Sequence, residues 1–291
     1  MWQILTSLAL CGELTTTERA GQAGAGTANP GDLAAGRDVP AAMVLDSAKS
    51  SQTDFAWNGG WNLGLGAMDS ETNALGAAVV YSRRWADEMP AAEDMPGWVT
   101  VGEDENRVRE NATRLSLGYG FGEQAVAGPM GARRVRRAGL GASVIYEHNS
   151  SDLLGSEDLY ELDLSAAARI GPTAGFGHDL TVAVAVRDLL PNQARPVSGQ
   201  AGVYWRPLPP ISVSADALYD PDAGRTWGGR GGAQLLLNQT VSLTAGYANQ
   251  GQHQVGAGLG AHGQGFKLHA AAMWTPATQS WLYTAGLVTP L

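Results

Sequence analysis

The chain has 291 residues, a formal net charge of −9 and a pI of about 5.0, a balance that argues against a nucleic-acid partner, whose phosphates require a concentrated basic surface. Charged residues make up 16% of the chain, below the usual level of about a quarter, while glycine contributes 39 residues and hydrophobics 44%. A single cysteine, Cys11, excludes an intrachain disulfide, and no apolar run approaches the ~20 residues of a membrane-spanning helix.

The opening MWQILTSLALCGEL has a short apolar core with no Lys or Arg before it, so residues 1–20 read as a signal-like or truncated leader. Leu8-Ala9-Leu10-Cys11 has the outline of a lipoprotein processing site, but Leu10 is bulky where such sites take a small residue. Residues 12 to about 50 are rich in Gly, Ala, Thr and Asp and show no sustained period; 21–50 read as an N-terminal hatch-like segment. From Phe55 the chain becomes a succession of short alternating segments: 55–67, 74–84, 110–121, 138–148, 158–170, 179–189, 197–206, 211–220, 226–237, 240–248, 253–261, 266–274 and 280–288. Such spacing predicts an all-β sandwich or barrel, with residues 51–291 forming it.

The connections differ in kind. Trp85 to Asn106 is long and acidic, and 149–157, 192–196, 221–224, 249–252 and 275–279 are polar tips. Pro207-Leu208-Pro209-Pro210, Asn238-Gln239 and His262-Gly263-Gln264-Gly265 are tight links between them. Long loops at one end and short turns at the other are the habit of outer-membrane barrels. If the C-terminus lies on the short-turn side, 55–67 runs down from the loop side, and one more strand must rise before it near Met43-Val44-Leu45-Asp46. The expected architecture is a closed antiparallel transmembrane β-barrel of about fourteen strands, with twelve as the alternative.

One parity of these segments is apolar, as in Leu180, Val182, Val184 and Val186, and it carries aromatics at strand ends: Tyr81, Tyr146, Tyr160, Trp205, Tyr219, Trp227, Tyr247, Trp274 and Trp281. Rings with an apolar body and a polar tip suit both lipid–water interfaces. A soluble sandwich core also alternates, but it does not sort Trp and Tyr to strand ends. The opposite parity holds Arg114, Glu147, Glu161, Asp163, Arg169, Arg187, Asp216, Arg230, Lys267 and His269, which are expected to face the lumen. They either guide a solute or tie the strands together as charge pairs. Folding back about GPTAGFG brings Arg187 level with Glu161 and Asp163, its expected partners. Inward glycines, Gly64, Gly66, Gly118, Gly120, Gly256, Gly258 and Gly260, leave room for a plug or a lateral opening, or permit strand curvature.

GQAGAGTANPGDLAAGRDVPAAM, from Gly21 to Met43, resembles the N-terminal region of the FadL/PorV-like outer-membrane proteins. Gly24, Ala25, Gly26 and Asp32 echo the Gly-rich and acidic part, and Pro40-Ala41-Ala42-Met43 echoes a motif of the type Asn-Pro-Ala-Gly-Leu. Val39 stands where Asn is usual, and Ala42 replaces the Gly. The resemblance implies a fourteen-stranded barrel with its N-terminal segment folded inside as a hatch. It implies either import of hydrophobic compounds or a part in protein secretion at the outer membrane of a Gram-negative bacterium. No ligand-binding residue carries over, and the C-terminus GLVTPL lacks a terminal aromatic.

Other motifs fail. Gly258-Leu259-Gly260-Ala261-His262-Gly263 fits GxGxxG, but a strand follows instead of a helix. The five histidines have no metal-ligand spacing, and no Gly-x-Ser-x-Gly elbow exists. No catalysis, metal or cofactor is assigned, and an enzymatic barrel is the minor reading. The expected partners are outer-membrane lipid and lipopolysaccharide; the acidic 85–106 loop reads first as a solvated loop and second as a place for divalent cations shared with lipopolysaccharide. A periplasmic or secretion-machinery protein is a further candidate; Arg133, Arg134, Arg136 and Arg137 either form a solvated turn, the commoner case, or dock such an acidic partner. Two functions stay open: a channel for small hydrophobic solutes, or a non-transporting scaffold for secretion or surface attachment.

Overall fold

The computed structural model describes residues 19–20, 22, 25–30, 33–46, 48–57, 60–87, 107–128, 131–151, 155–170, 179–190, 196–221, 226–238, 240–249, 253–263 and 265–291. Residues 1–18 of the leader, most of the acidic 85–106 loop and the 171–178 link lie outside them. Two short helices, α1 (Leu33–Asp38) and α2 (Pro40–Met43), come first. The strands follow: β1 (Lys49–Trp57), β2 (Gly60–Asp69), β3 (Leu75–Asp87), β4 (Arg107–Phe121), β5 (Gln124–Gly128), β6 (Gly131–Val135), β7 (Ala138–Ser151) and β8 (Gly155–Ile170). The second half comprises β9 (Asp179–Arg187), β10 (Ser198–Leu208), β11 (Ile211–Tyr219), β12 (Trp227–Asn238), β13 (Val241–Ala248), β14 (Gln254–Gly263), β15 (Phe266–Thr275) and β16 (Ser280–Pro290).

All but β5 and β6 join one antiparallel sheet of fourteen strands, which closes where β1 pairs with β16 from Ser50↔Pro290 to Trp57↔Tyr283. Closure is what the bilayer demands, because an open sheet edge would leave backbone donors and acceptors with no water to bond. Strands run from 8 residues in β13 to 16 in β8, bracketing the ~9–11 residues with which a tilted strand crosses hydrocarbon. The outward parity is apolar around the barrel: Leu115, Leu117, Leu140, Val144, Leu164, Val184, Val203, Leu243, Leu259 and Leu268 are all exposed. No helix among the described residues is long and apolar enough to cross a membrane; the strands do so. Unboiled protein in SDS should therefore migrate as a compact species and shift on boiling; identical migration before and after heating would contradict the closed barrel.

The strand number matches the expectation, but one strand lies elsewhere. Segment 55–67 is two strands, β1 and β2, paired as Trp57↔Trp61 and Phe55↔Leu63. The strand expected near Met43–Asp46 does not exist: α2 ends at Met43, and Asp46 forms only an isolated bridge to Val135. The short-turn end is also less uniform than expected. Call the end where β1 begins and β16 ends the terminal rim. It holds the short link 209–210, but also the β5–β6 hairpin between β4 and β7. The far rim carries the 88–106 and 188–197 connections.

The apolar core lies inside the barrel. Leu33, Ala35, Val39, Ala41, Ala42, Met43, Val44 and Leu45 of the N-terminal segment cluster with inward Met68, Ala78, Ala167, Ala183, Ala185 and Tyr204 of the wall. Small wall residues make this fit. A Cβ at Gly66 would strike Leu33, one at Gly118 would lie 2.6 Å from the Pro40 carbonyl oxygen, and one at Gly141 would lie 2.5 Å from the Ala41 nitrogen. The wall of β2, β4 and β7 is therefore shaped to the segment. Gly258 and Gly260 serve differently, since a Cβ there would meet the Thr244 and Ser242 hydroxyls of the neighbouring strand β13.

Candidate functional site, a lumen holding the N-terminal segment

Two sets of polar contacts fix this internal segment. The first grips its end nearest β1. Arg136, which follows β6 and is 2% exposed, donates to the carbonyls of Val44 and Ser70 at 3.0 Å each and of Asn73 at 2.6 Å. Arg169 of β8 pairs with Asp46 at 2.8 Å and with Asp179 at 3.0 Å. The Ser70 hydroxyl donates to the Asp46 carbonyl at 2.8 Å, and the Ala41 N–H donates to the Ser165 hydroxyl at 3.1 Å.

The second set surrounds Asp38 at the end of α1. Arg19 lies 2.6 Å from its carboxylate, Arg37 2.7 Å and Arg187 of β9 3.7 Å. Burial alone would raise the Asp38 carboxyl, but the charges of Arg37, Arg19 and Arg187 outweigh it and hold the group well below the usual carboxylate range. Arg114 of β4 links wall to segment by donating to the Arg37 carbonyl while pairing with Asp163 of β8 at 3.0 Å. Asp163 also accepts the Asp188 N–H at 3.2 Å. Farther round the wall, Asp216 of β11 accepts the N–H groups of Gly26 at 2.9 Å and Thr27 at 3.2 Å, and Ser214 donates to the Gln22 side-chain oxygen at 3.2 Å.

The charges singled out in the sequence thus fall in different places. Arg114, Glu161, Asp163, Arg169, Arg187 and Asp216 are buried or nearly so on the inner side. Arg230 is half-buried in β12, opposite Asp216 in register. Lys267 is exposed near the terminal rim at the start of β15. Arg187 reaches the level expected for it, since Leu164 pairs with Val186. It meets Asp38 of the internal segment, a partner that strand parity does not predict. That segment supplies carboxylates and carbonyls that strand parity alone does not reveal. A double-mutant cycle on Arg114→Ala and Asp163→Ala, followed by thermal unfolding in detergent, should give a coupling of about 0.5–3 kcal/mol; additive effects would mean that the two do not act together.

The basic cluster near the terminal rim needs correction. Arg136 is consumed by three carbonyls inside the protein and is no docking residue; the side chains of Arg133 and Arg134 lie outside the described residues. The aromatics are unevenly shared. Tyr219, Tyr247, Trp274 and Trp281 lie at the far rim and Trp205 toward the terminal rim, whereas Tyr81 sits midway along β3 and Tyr146 just past the middle of β7 on the far-rim side. Ring contacts knit the far rim: Trp274 and Trp281 are 4.9 Å apart, Tyr219 and Trp227 5.0 Å, and Tyr146 and Tyr160 5.2 Å. Gly258-Leu259-Gly260-Ala261-His262-Gly263 lies within β14. Among the described residues no three His, Cys, Asp or Glu side chains converge as a metal ion would require.

No family model matches the chain, and no curated protein matches it in sequence. Solved structures do resemble it. The CymD monoaromatic hydrocarbon channel aligns with a TM-score of 0.60 at 11% identity, over 95% of this chain and 97% of that one. The Acinetobacter baumannii outer membrane protein Omp33 aligns at 0.46 and 11% identity, over 86% of this chain and 100% of that one. A triple mutant of Rhodopseudomonas blastica porin aligns at 0.42 and 8% identity, over 84% and 98%. These structural neighbours are outer-membrane β-barrel proteins, and at such identities the likeness is one of fold.

Proposed function

We propose that the protein is an outer-membrane channel of a Gram-negative bacterium for small hydrophobic solutes, of the FadL-like kind, with residues 25–46 as the element that yields during passage. One observation carries the reading. Between the polar contacts described above, Met68, Ala78, Ala167, Ala183 and Ala185 of the inner wall join one apolar cluster with Leu33, Val39 and Met43 of the segment. A pore for ions or sugars needs a polar, water-filled lumen. An apolar stretch of the lining instead offers a greasy solute a path of low desolvation cost once the segment shifts. The fold similarity to a monoaromatic hydrocarbon channel at a TM-score of 0.60 supports the same solute class.

A second reading, a PorV-like scaffold, is favoured by the Arg136, Arg169 and Asp38 contacts, which tie the segment to the wall. Proteoliposomes separate the two. A channel of this kind admits a small apolar fluorescent probe faster than empty liposomes do and discriminates against a charged dye of similar size. No uptake above empty liposomes, together with recovery of a stoichiometric protein partner from membranes, would overturn the channel reading. Outer-membrane fractionation checks the location.

A further inference from the structure

The outer wall of β3, β4, β7 and β8 is banded by cross-strand register. Val79, Leu115, Val144 and Leu162 form an apolar tier. Tyr81, Thr113, Tyr146 and Tyr160 form the tier toward the far rim. Next come Arg83, Asn111, His148 and Asp158, and then Trp85, Arg109, Ser150 and Ser156. Both arginines are exposed. Among the described residues neither has a carboxylate within 4.0 Å, whereas His148 is paired with Asp158 at 2.7 Å. The Arg83 guanidinium lies 5.6 Å over the Trp85 ring, whose other cross-strand neighbour is Trp61. By contrast, the outward positions of β9 to β16 carry no charged side chain.

We infer that Arg83 and Arg109, with Asn111 and the Trp85 face, form a binding site for the phosphorylated headgroup of an outer-leaflet glycolipid, lipopolysaccharide. The tiers fit one such molecule. Acyl chains lie on Val79, Leu115 and Val144, the Tyr tier marks the interface, and two guanidiniums stand where headgroup phosphates sit. Guanidinium matches phosphate in fork geometry, and charge-assisted bonds of this kind strengthen at a low-dielectric boundary. An arginine held over an indole loses less freedom on binding, because its plane is already oriented. The site rests on the outer-membrane reading and on placing the far rim outside the cell, as the longer connections there indicate.

The test uses the full-length barrel in mild detergent, mixed with deep-rough lipopolysaccharide or with phosphatidylglycerol and examined by native mass spectrometry. Lipopolysaccharide adducts are expected to exceed phosphatidylglycerol adducts. In the double variant Arg83→Gln, Arg109→Gln they should fall by about tenfold or more, the worth of one charge-assisted hydrogen bond. Heat-modifiable migration verifies that the variant is folded. Equal retention of both lipids, or unchanged adducts in the variant, overturns the inference. So does absence of adducts in the parent protein, the result expected if carboxylates of the 88–106 connection neutralise the two arginines. Probe uptake into liposomes is indifferent to these substitutions, so failure here leaves the channel reading standing.

Discussion

Gly141→Val should unseat the internal segment and raise the conductance of the barrel in a planar bilayer. A Cβ at Gly141 meets the Ala41 nitrogen at 2.5 Å, the Pro40 Cβ at 2.7 Å and the Pro40 carbonyl carbon at 2.8 Å. Two of these three atoms are backbone, so no side-chain rotation relieves the overlap. Valine suits the strand itself, so β7 is expected to form as before. The strain falls on the contact with α2, where overpacking costs about 1–3 kcal/mol, enough to shift a seated population by about fivefold to 150-fold. Gly231→Ala is the control, because its Cβ would meet nothing nearer than the Ser214 carbonyl oxygen at 4.0 Å. Conductance of Gly141→Val equal to that of Gly231→Ala would show that the segment does not limit the pore.

Asp38→Ala should be the most destabilising single change in the lumen. It removes a buried carboxylate on which Arg19, Arg37 and Arg187 converge. Breaking a buried ionic cluster by deleting one member costs about 3–5 kcal/mol, since the remaining charges stay in a poorly solvated place. Asp38→Asn keeps the shape and loses the charge, so most of the effect should persist. The pH dependence follows from the depressed Asp38 carboxyl, held down against burial by the three guanidiniums. A folded-state value below the unfolded one gives stability that is complete above about pH 4 and is lost as the pH falls through the folded value. The stability gap between parent and Asp38→Asn should hold steady at neutral pH and narrow only in strong acid. Thermal unfolding in detergent across pH measures it; a gap independent of pH would refute the assignment.

Most of the barrel was legible because lipid on one side and protein on the other impose a strict period of two. The error at β1 and β2 has a geometric cause. Trp57 pairs with Trp61 and Phe55 with Leu63, so the outward parity is odd on both strands and passes through the turn unbroken. Only Asn58-Gly59, a strong hairpin dipeptide, marked the break in the sequence. The lumen was legible by face but not by partner. Arg187 and Arg169 could be placed on the inner side by counting. Their partners Asp38 and Asp46 belong to a Gly- and Ala-rich segment with no periodicity to say where it lies. Arg136 was misjudged because four arginines in five residues look like a solvated surface; burial of one of them depends on carbonyls 63 to 92 residues away.

The contacts of Asp216 with Gly26 and Thr27 span 190 and 189 residues. The part of the barrel interior made first is therefore completed among the last, because its acceptor lies in β11. During export and insertion this stretch must wait unsatisfied while ten barrel-wall or hairpin strands precede its partner in the chain. Contacts so far apart in sequence carry a large loop-closure cost and form late. A waiting segment rich in large apolar residues would invite aggregation. Residues 19–30 hold Ala and Gly instead, with no Leu, Ile, Val, Phe or Trp among them. Their blandness is a provision for assembly: the stretch stays soluble until the wall that receives it has been built.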